Sequence, residues 1–331
     1  METLEKTFLG LIKGGLYGLQ PQIVPNLSDE DWERLLHLAQ KHGVTGLLVQ
    51  GVELLPEQTY IPQQLVFELL SAEQRIIRAN RQIQAAGKSL ANFFFHKSLT
   101  DPTFVKGPLL AAFYKKPLLR ECGDLDIYLK GDSFDRACTL LASKGIRVHH
   151  SPDGSVQYPW EGVMIDQHRR YYDLHVSPLK LPPVPSPEAT LVMLSAHILK
   201  HAMGPGVGLR QICDMVMASR ALEGTYQKVR LLGYYRECGL LTWNHMLSSF
   251  MSLYLDFDDG LFSDLSDKEA LRLMRIVRNG NFGHFSKGRQ KALKGHLRRM
   301  DTALRFVRRL PFSLKYAPAE LVYTIKELIH L

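Results

Sequence analysis

Cysteine is scarce in this chain. Four occur in 331 residues, Cys122, Cys138, Cys213 and Cys238, far apart and without a CxxC pair. That argues against a disulfide framework and a cysteine-rich zinc site, and it suits a reducing cytoplasm. Long apolar runs are lacking too. None reaches the roughly 18 residues that a spanning helix needs. The N-terminal "METLEKTFLGLIKGG" carries charges of both signs early and has no extended apolar stretch, so no signal peptide is expected. The sequence therefore predicts a soluble cytoplasmic protein. Repeats and low-complexity tracts are absent, which sets aside solenoids and disordered tails. Acidic residues are the minority charge, 33 against 41 Lys and Arg, for a formal net charge of +8. An anionic partner such as a nucleotide or nucleic acid is allowed by that balance and not required by it.

The chain is long enough for two or three folded units, and its pattern divides it in three. Residues 1–98 read as helical. "LSDEDWERLLHLAQKHGV" opens on Ser28 as an N-cap, repeats Trp32, Leu35, Leu36 and Leu38 at helix spacing, and stops at Gly43. "PQQLVFELLSAEQRIIRANRQIQAAGKSLANFFF" predicts a long helix with a break near Gly87. Residues 99–180 have the texture of a small α/β or α+β unit of four or five strands. The expected order is a strand at "TFV", a turn at Lys106–Gly107–Pro108 into a helix, a strand at "DLDIYLK", a helix over "SFDRACTLLAS", and a strand at "IRVHH". A hairpin is expected within "GVMIDQHRRYYDLHV". The proline-rich "PLKLPPVPSP" marks a boundary, and residues 181–331 read as helical again, opening at Ser186–Pro187–Glu188.

One stretch reads either as the solvated face of a half-buried strand or as two carboxylates aimed at one metal site. In "GDLDIYLK", Asp124 and Asp126 alternate with Leu125, Ile127 and Leu129. Aspartate is a poor strand former, and two carboxylates about 6.5–7 Å apart on one face repel unless a cation or a hydrogen-bond network compensates. Hard oxygen donors suit Mg²⁺ or Mn²⁺. A third carboxylate is available in Asp173 of "YYDLHV", with Asp166 of "VMIDQH" the competing choice. Upstream, the "VKGPLL" turn leads into a helix start beside the positive charge of Lys106, an arrangement suited to phosphate.

Strand, glycine turn, helix, a D-x-D strand and a later strand with one aspartate form a pattern that resembles the DNA polymerase beta-like nucleotidyltransferase superfamily, written hG[GS], Dh[DE]h, h[DE]h. Within it, "VKGPLLAAFYKKPLLRECGDLDIYLKGD" resembles the "KGxxLAxxxY…R…GDIDLLV" block of the uncharacterised bacterial family called nucleotidyltransferase 5. "DWERLLHLAQKHGVTGLLVQGVELL" and "HILKHAMGPGVGLRQICDM" resemble that family's flanking helices, so the resemblance spans roughly residues 30–220. It implies an α+β protein, a small mixed-sheet nucleotidyltransferase core between helical regions. It also implies transfer of a nucleoside monophosphate from a nucleoside triphosphate such as ATP to an unknown hydroxyl, with release of pyrophosphate. Asp124, Asp126 and Asp173 would hold two Mg²⁺ (or Mn²⁺) ions and serve catalysis. Lys106, Gly107, Arg120 and Arg210 would meet phosphate. The acceptor class stays open among small molecules, proteins and RNA, as does the oligomeric state. Pro108 departs from the superfamily pattern, which has Gly or Ser there, and the spacer to Asp124 is long. These departures support an alternative, a non-catalytic member that binds a nucleotide or a partner.

Blander readings stand beside several of these residues. Arg120 can instead pair with one of the aspartates. Arg210 can pair with Asp214 at i, i+4 on a helix surface. His197 and His201 share that spacing but "HILKH" lacks the Glu of HExxH, so helix contacts or the cleft are expected rather than zinc. Tyr171 and Tyr172 can stack on a base or fill a core. The basic run 287–310, with Asp301 its only acid, is a solvated face or an RNA- or lipid-binding helix, and RNA binding through it is a third reading of the function.

Overall fold

The structure is a computed structural model that describes residues 3–21, 26–151, 154–204, 206–278 and 310–329. The basic run 287–310 lies, except for its last residue, outside these. Among the described residues no helix is long and apolar enough to cross a membrane.

Helices α1 (Thr3–Tyr17), α2 (Asp29–His42), α3 (Thr45–Glu53) and α4 (Gln63–Phe95) come first. The start of α2 follows from its cap. Ser28 Oγ accepts from the Asp31 amide at 3.2 Å, and the Asp31 carboxylate accepts from the Ser28 amide at 3.4 Å. Gly43, at φ 65°, closes the helix. The expected break in α4 does not occur, and its 33 residues run without interruption over about 50 Å. Gly87 instead lets α4 pass close over Leu125 and Phe104, to which an added Cβ would come within 3.2 Å.

Strands β1 (Thr103–Phe104), β2 (Leu125–Tyr128), β3 (His149–His150), β4 (Val156–Trp160) and β5 (Val163–His168) form a sheet in the order β1-β2-β5-β4-β3. The β2–β5 pair is parallel and the others are antiparallel, so the fold is α+β with a mixed sheet. Helix α5 (Gly107–Ala111) follows β1 and α6 (Ser133–Ser143) follows β2. The hairpin is displaced from its expected place: β5 pairs with β4 upstream, not with residues 171–176 downstream. The physical reason lies at the end of β5. Arg169 leaves the sheet to pair with Asp135 of α6 at 2.5 and 2.8 Å and to lie over the Phe134 ring. Tyr172 then turns into the helical core, its hydroxyl donating to the Pro182 carbonyl.

Two apolar clusters result. Leu125, Ile127 and Ile165 from the sheet meet Ile83, Ala86 and Leu90 of α4 and Phe134 of α6. The larger cluster joins α1–α3 to α7 (Pro187–Met203), α8 (Leu209–Ala221), α9 (Lys228–Glu237), α10 (Leu241–Leu255) and α11 (Asp267–Val277). With α4 and α6 on one face of the sheet, the aspartate-bearing face turns toward α7 and α8.

The segment before β2 is held tightly. Gly46 of α3 abuts the Leu119 carbonyl, which an added Cβ would approach to 1.9 Å. Gly46→Ala is expected to destabilise the protein by about 1–3 kcal/mol, the scale of overpacking, as read from urea midpoints. A second prediction concerns His42, buried at the end of α2 with Nδ1 unpartnered among the described residues. Burial, then the Lys41 charge, push its pKa down to about 4. The unfolded state therefore takes up the proton first. Stability is full above about pH 6.5 and falls by up to about 3 kcal/mol as pH drops toward 4. His42→Gln should flatten that part of the stability–pH curve.

Candidate active site

The site is assembled from three directions. The first is the β1–β2 edge. The Val105 amide donates to the Asp126 carbonyl at 3.1 Å, extending the β1–β2 ladder by one residue. The next residue, Lys106, takes φ 60° and ψ −137° and turns its side chain over β2. Lys106 Nζ lies 3.0 Å from Asp126 Oδ1 and 4.0 Å from Asp173 Oδ2. Gly107 follows at φ 20°, where an added Cβ would lie 3.6 Å from the Asp124 carbonyl, an ordinary contact. Helix α5 has five residues, with Pro108 in its first turn.

The second direction is the parallel β2–β5 pair. Its register puts Asp126 opposite Asp166 and Tyr128 opposite His168. Partners across a ladder share a face, as do residues two apart along a strand. Asp126, Asp166 and His168 therefore converge. His168 Nε2 lies 2.9 Å from Asp126 Oδ1 and 3.8 Å from Asp166 Oδ2. Asp166 Oδ1 is buried without a hydrogen-bond partner among the described residues. Asp124, one step before β2, stands at the exposed mouth of the same face.

The third direction is α7 and α8. Asp173 lies in the chain that leaves β5, where His197 Nδ1 approaches its Oδ2 at 3.1 Å and Lys200 donates to its Oδ1 at 2.9 Å. His197 and His201 meet through their Nε2 atoms at 3.1 Å. Together with the strand face, His197, Lys200 and His201 line a cavity of about 230 Å³.

Arg120 and Arg210 part company. Arg120 is buried and forms a forked pair with Asp214 of α8, Nε to Oδ1 at 3.0 Å and Nη2 to Oδ2 at 2.5 Å. Its structural partner is thus Asp214 rather than either strand aspartate. Tyr114 donates to the same carboxylate at 2.8 Å. The expected Arg210–Asp214 surface pair is accordingly not formed. Arg210 instead donates from Nη1 to the Glu121 carbonyl at 2.9 Å, leaving Nε without a partner among the described residues at the cavity wall. Tyr171 meets Tyr128 and Tyr172 edge-on, outside the cavity lining.

Charge sorts the carboxylates. Burial opposes ionisation of Asp126, but Lys106 and then His168 outweigh it and hold its pKa well below the usual range. Asp173 is likewise depressed, with Lys106, His197 and Lys200 overcoming its burial. The reverse holds at the mouth, where burial of the carboxyl within the cleft and then the Asp126 charge push Asp124 up to about 6. Asp166 is raised by burial. Burial, then the Lys106 charge, push His197 down to about 4, so it is a neutral imidazole near neutral pH. Lys106 is held charged by Asp126 and Asp173 against its own burial.

Asp126, Asp166 and His168 offer one ligand atom each, all within 4.8 Å of one another, a group able to hold a divalent cation. A family model described as an uncharacterised nucleotidyltransferase matches residues 28–256. The chain belongs to this family. No curated protein and no solved structure matches it. The matched span opens at the Ser28 cap of α2 and closes at Asp256, the left-handed residue ending α10, so the family unit includes both the strand face and the α7–α8 wall.

Sequence reasoning did not single out His168. The available signal was its place two residues after Asp166 on an alternating strand, which puts both on one face. The partnership of Asp173 with His197 and Lys200 had no local signal at all.

Removing one member of the Arg120–Asp214 pair leaves a buried charge uncompensated. Asp214→Ala is expected to cost about 3–5 kcal/mol by denaturant unfolding. The double variant Arg120→Met/Asp214→Leu should recover much of that loss, giving a clear coupling in the mutant cycle.

Proposed function

We propose that this protein is a nucleotidyltransferase dependent on a divalent cation, Mg²⁺ or Mn²⁺. It moves a nucleoside monophosphate from a nucleoside triphosphate to an acceptor hydroxyl. The observation that carries the reading is the register of β2 with β5, which brings Asp126 and Asp166 together on the face where Asp124 also stands. The residues fit a cation: Asp166 keeps an unpartnered buried oxygen, and the Asp126 carboxylate is ionised. Asp126 and Asp166 would hold the metal, with Asp124 at the mouth able to join. Between the two candidates for the third carboxylate, strand register favours Asp166. When bound, the metal would neutralise charge on the attacking and leaving oxygens.

The chain's own groups then divide the work. Lys106, charged beside Asp126, and Arg210, which lines the cavity, are suited to draw in the anionic phosphates, and Gly107, at φ 20°, makes the turn that follows Lys106. Arg120, committed to Asp214, fixes the loop that carries Asp124. Asp173 holds Lys106 and the α7 imidazole in place. In the transfer itself, the acceptor oxygen bonds to the α-phosphorus as the bond from that phosphorus to the β-bridging oxygen breaks. The hydroxyl proton passes to the Asp166 carboxylate on the same face, and pyrophosphate leaves.

The test is pyrophosphate release from each nucleoside triphosphate with Mg²⁺ or Mn²⁺ over a panel of hydroxyl acceptors. Asp126→Asn and Asp166→Asn are each expected to lower the rate by more than about 100-fold, the scale of losing transition-state charge stabilisation. Undiminished transfer by both variants overturns the reading. One observation favours a second reading, a non-catalytic nucleotide or partner binder: Pro108 removes a backbone N–H from the first turn of α5. Calorimetric binding of the metal–nucleotide complex with no turnover on any acceptor would select it.

A further inference from the structure

We infer that His168 is itself a metal ligand, so that the site is built from two carboxylates and one imidazole and takes Mn²⁺ in preference to Mg²⁺. The role of that ion in transfer rests on the nucleotidyltransferase reading; its binding does not.

The geometry supports the assignment first. A six-coordinate ion with ligands at about 2.1 Å sets neighbouring donors about 3.0 Å apart and opposite ones about 4.2 Å apart. His168 Nε2 stands 2.9 Å from Asp126 Oδ1, close to the spacing of adjacent donors, and 3.8 Å from Asp166 Oδ2, between the adjacent and opposite spacings, and the three donor atoms lie within 4.8 Å of one another. The backbone supports it next. His168 is the last residue of β5, and its carbonyl accepts from the Leu129 amide at 3.2 Å, so the ring is delivered by a strand rather than a loop. Burial supports it third. His168 and Asp126 are 9% and 7% exposed, so their donor atoms are shielded from bulk water and positioned for an ion held against the strands.

Metal preference follows from donor chemistry. Mg²⁺ prefers hard oxygen donors and surrenders its waters reluctantly, whereas Mn²⁺ accepts the same octahedral geometry with a nitrogen among its ligands. Lys106 sharpens the difference. Its ammonium sits on the same Asp126 oxygen and cancels part of the negative charge on which a purely electrostatic ion depends. An imidazole donor is neutral and loses nothing to that cancellation.

The experiment uses the full-length protein stripped of metal and titrated with Mn²⁺, with no nucleotide present. The loss of the free-ion electron paramagnetic resonance signal gives the affinity, and pulsed measurements report nitrogen bound to manganese. Wild type is expected to show one imidazole nitrogen coupling, and Mg²⁺ should displace Mn²⁺ only in large excess. His168→Gln should lose the coupling and weaken Mn²⁺ binding by about 10–100-fold while changing Mg²⁺ binding less. His197→Gln should keep the coupling, which assigns it to His168 and not to the nearby α7 ring. The wild-type spectrum decides the question even where a variant folds poorly. Bound Mn²⁺ without nitrogen coupling overturns the inference and leaves a carboxylate-only nucleotidyltransferase site standing. An absence of any Mn²⁺ binding also overturns the inference, and leaves the transfer reading to its own assay because a cation can enter on the nucleotide phosphates.

Discussion

The forked pair between Arg120 and Asp214 joins the strand-bearing and helical parts of the molecule at the wall of the cleft. Arg120 belongs to the loop that leads into β2, and Asp214 belongs to α8 in the helical core. Both are buried, and among the described residues neither has another ion-pair partner. A buried guanidinium and carboxylate have to stay in register with each other, because water is not there to replace either one. The loop they fix is gripped again from behind. Asn80 of α4 donates to the carbonyls of Leu118 and Arg120 at 2.8 Å each, and the Thr45 amide of α3 donates to Glu121. The position of Asp124 and Asp126 relative to α7 and α8 is therefore set by contacts from both sides of the loop.

Given that frame, the cleft is an exercise in neutralising charge. Asp124, Asp126 and Asp166 line a small cavity with Lys106, Lys200, Arg210, His197 and His201, and Asp173 stands behind it in contact with Lys106 and Lys200. Lys106 bridges two of the acids from the centre. The result separates groups of one type into different states: Asp126 and Asp173 are pulled toward ionisation, Asp124 and Asp166 are pushed toward the proton. Environments that drive like groups apart in pKa are a common way for one site to hold both a ligand and a base.

Part of this was legible without coordinates. The helix caps at Ser28 and Ser186, the turn at Lys106–Gly107, the β2 strand and α6 all follow from local rules of capping, glycine and alternation. So does the shared face of Asp124 and Asp126, since side-chain direction along a strand has a period of two. Other features were out of reach because they depend on which segments meet. Alternation in "VMIDQHRRYYDLHV" is equally compatible with pairing forward or backward along the chain. The choice fell to β4 because Arg169 finds Asp135 and Tyr172 finds the helical core. Asp214 is spaced correctly for Arg210 on its own helix, yet the buried Arg120 takes it, since a buried acid binds the cation that shares its low-dielectric surroundings.

The sequence by itself determined the class of the fold, the family pattern and the pair of aspartates on β2, because each rests on spacing within a few residues. Only the tertiary structure decided which acid stands opposite Asp126, that His168 joins it, and that Asp173 serves Lys106 and α7. Those outcomes follow from strand register and from contacts between residues roughly 25 to 100 positions apart in the chain, as His197 is from Asp173, His168 from Asp126 and Asp214 from Arg120. No local pattern encodes a distance of that kind, and the free energy that selects it comes from burial and pairing across the whole fold.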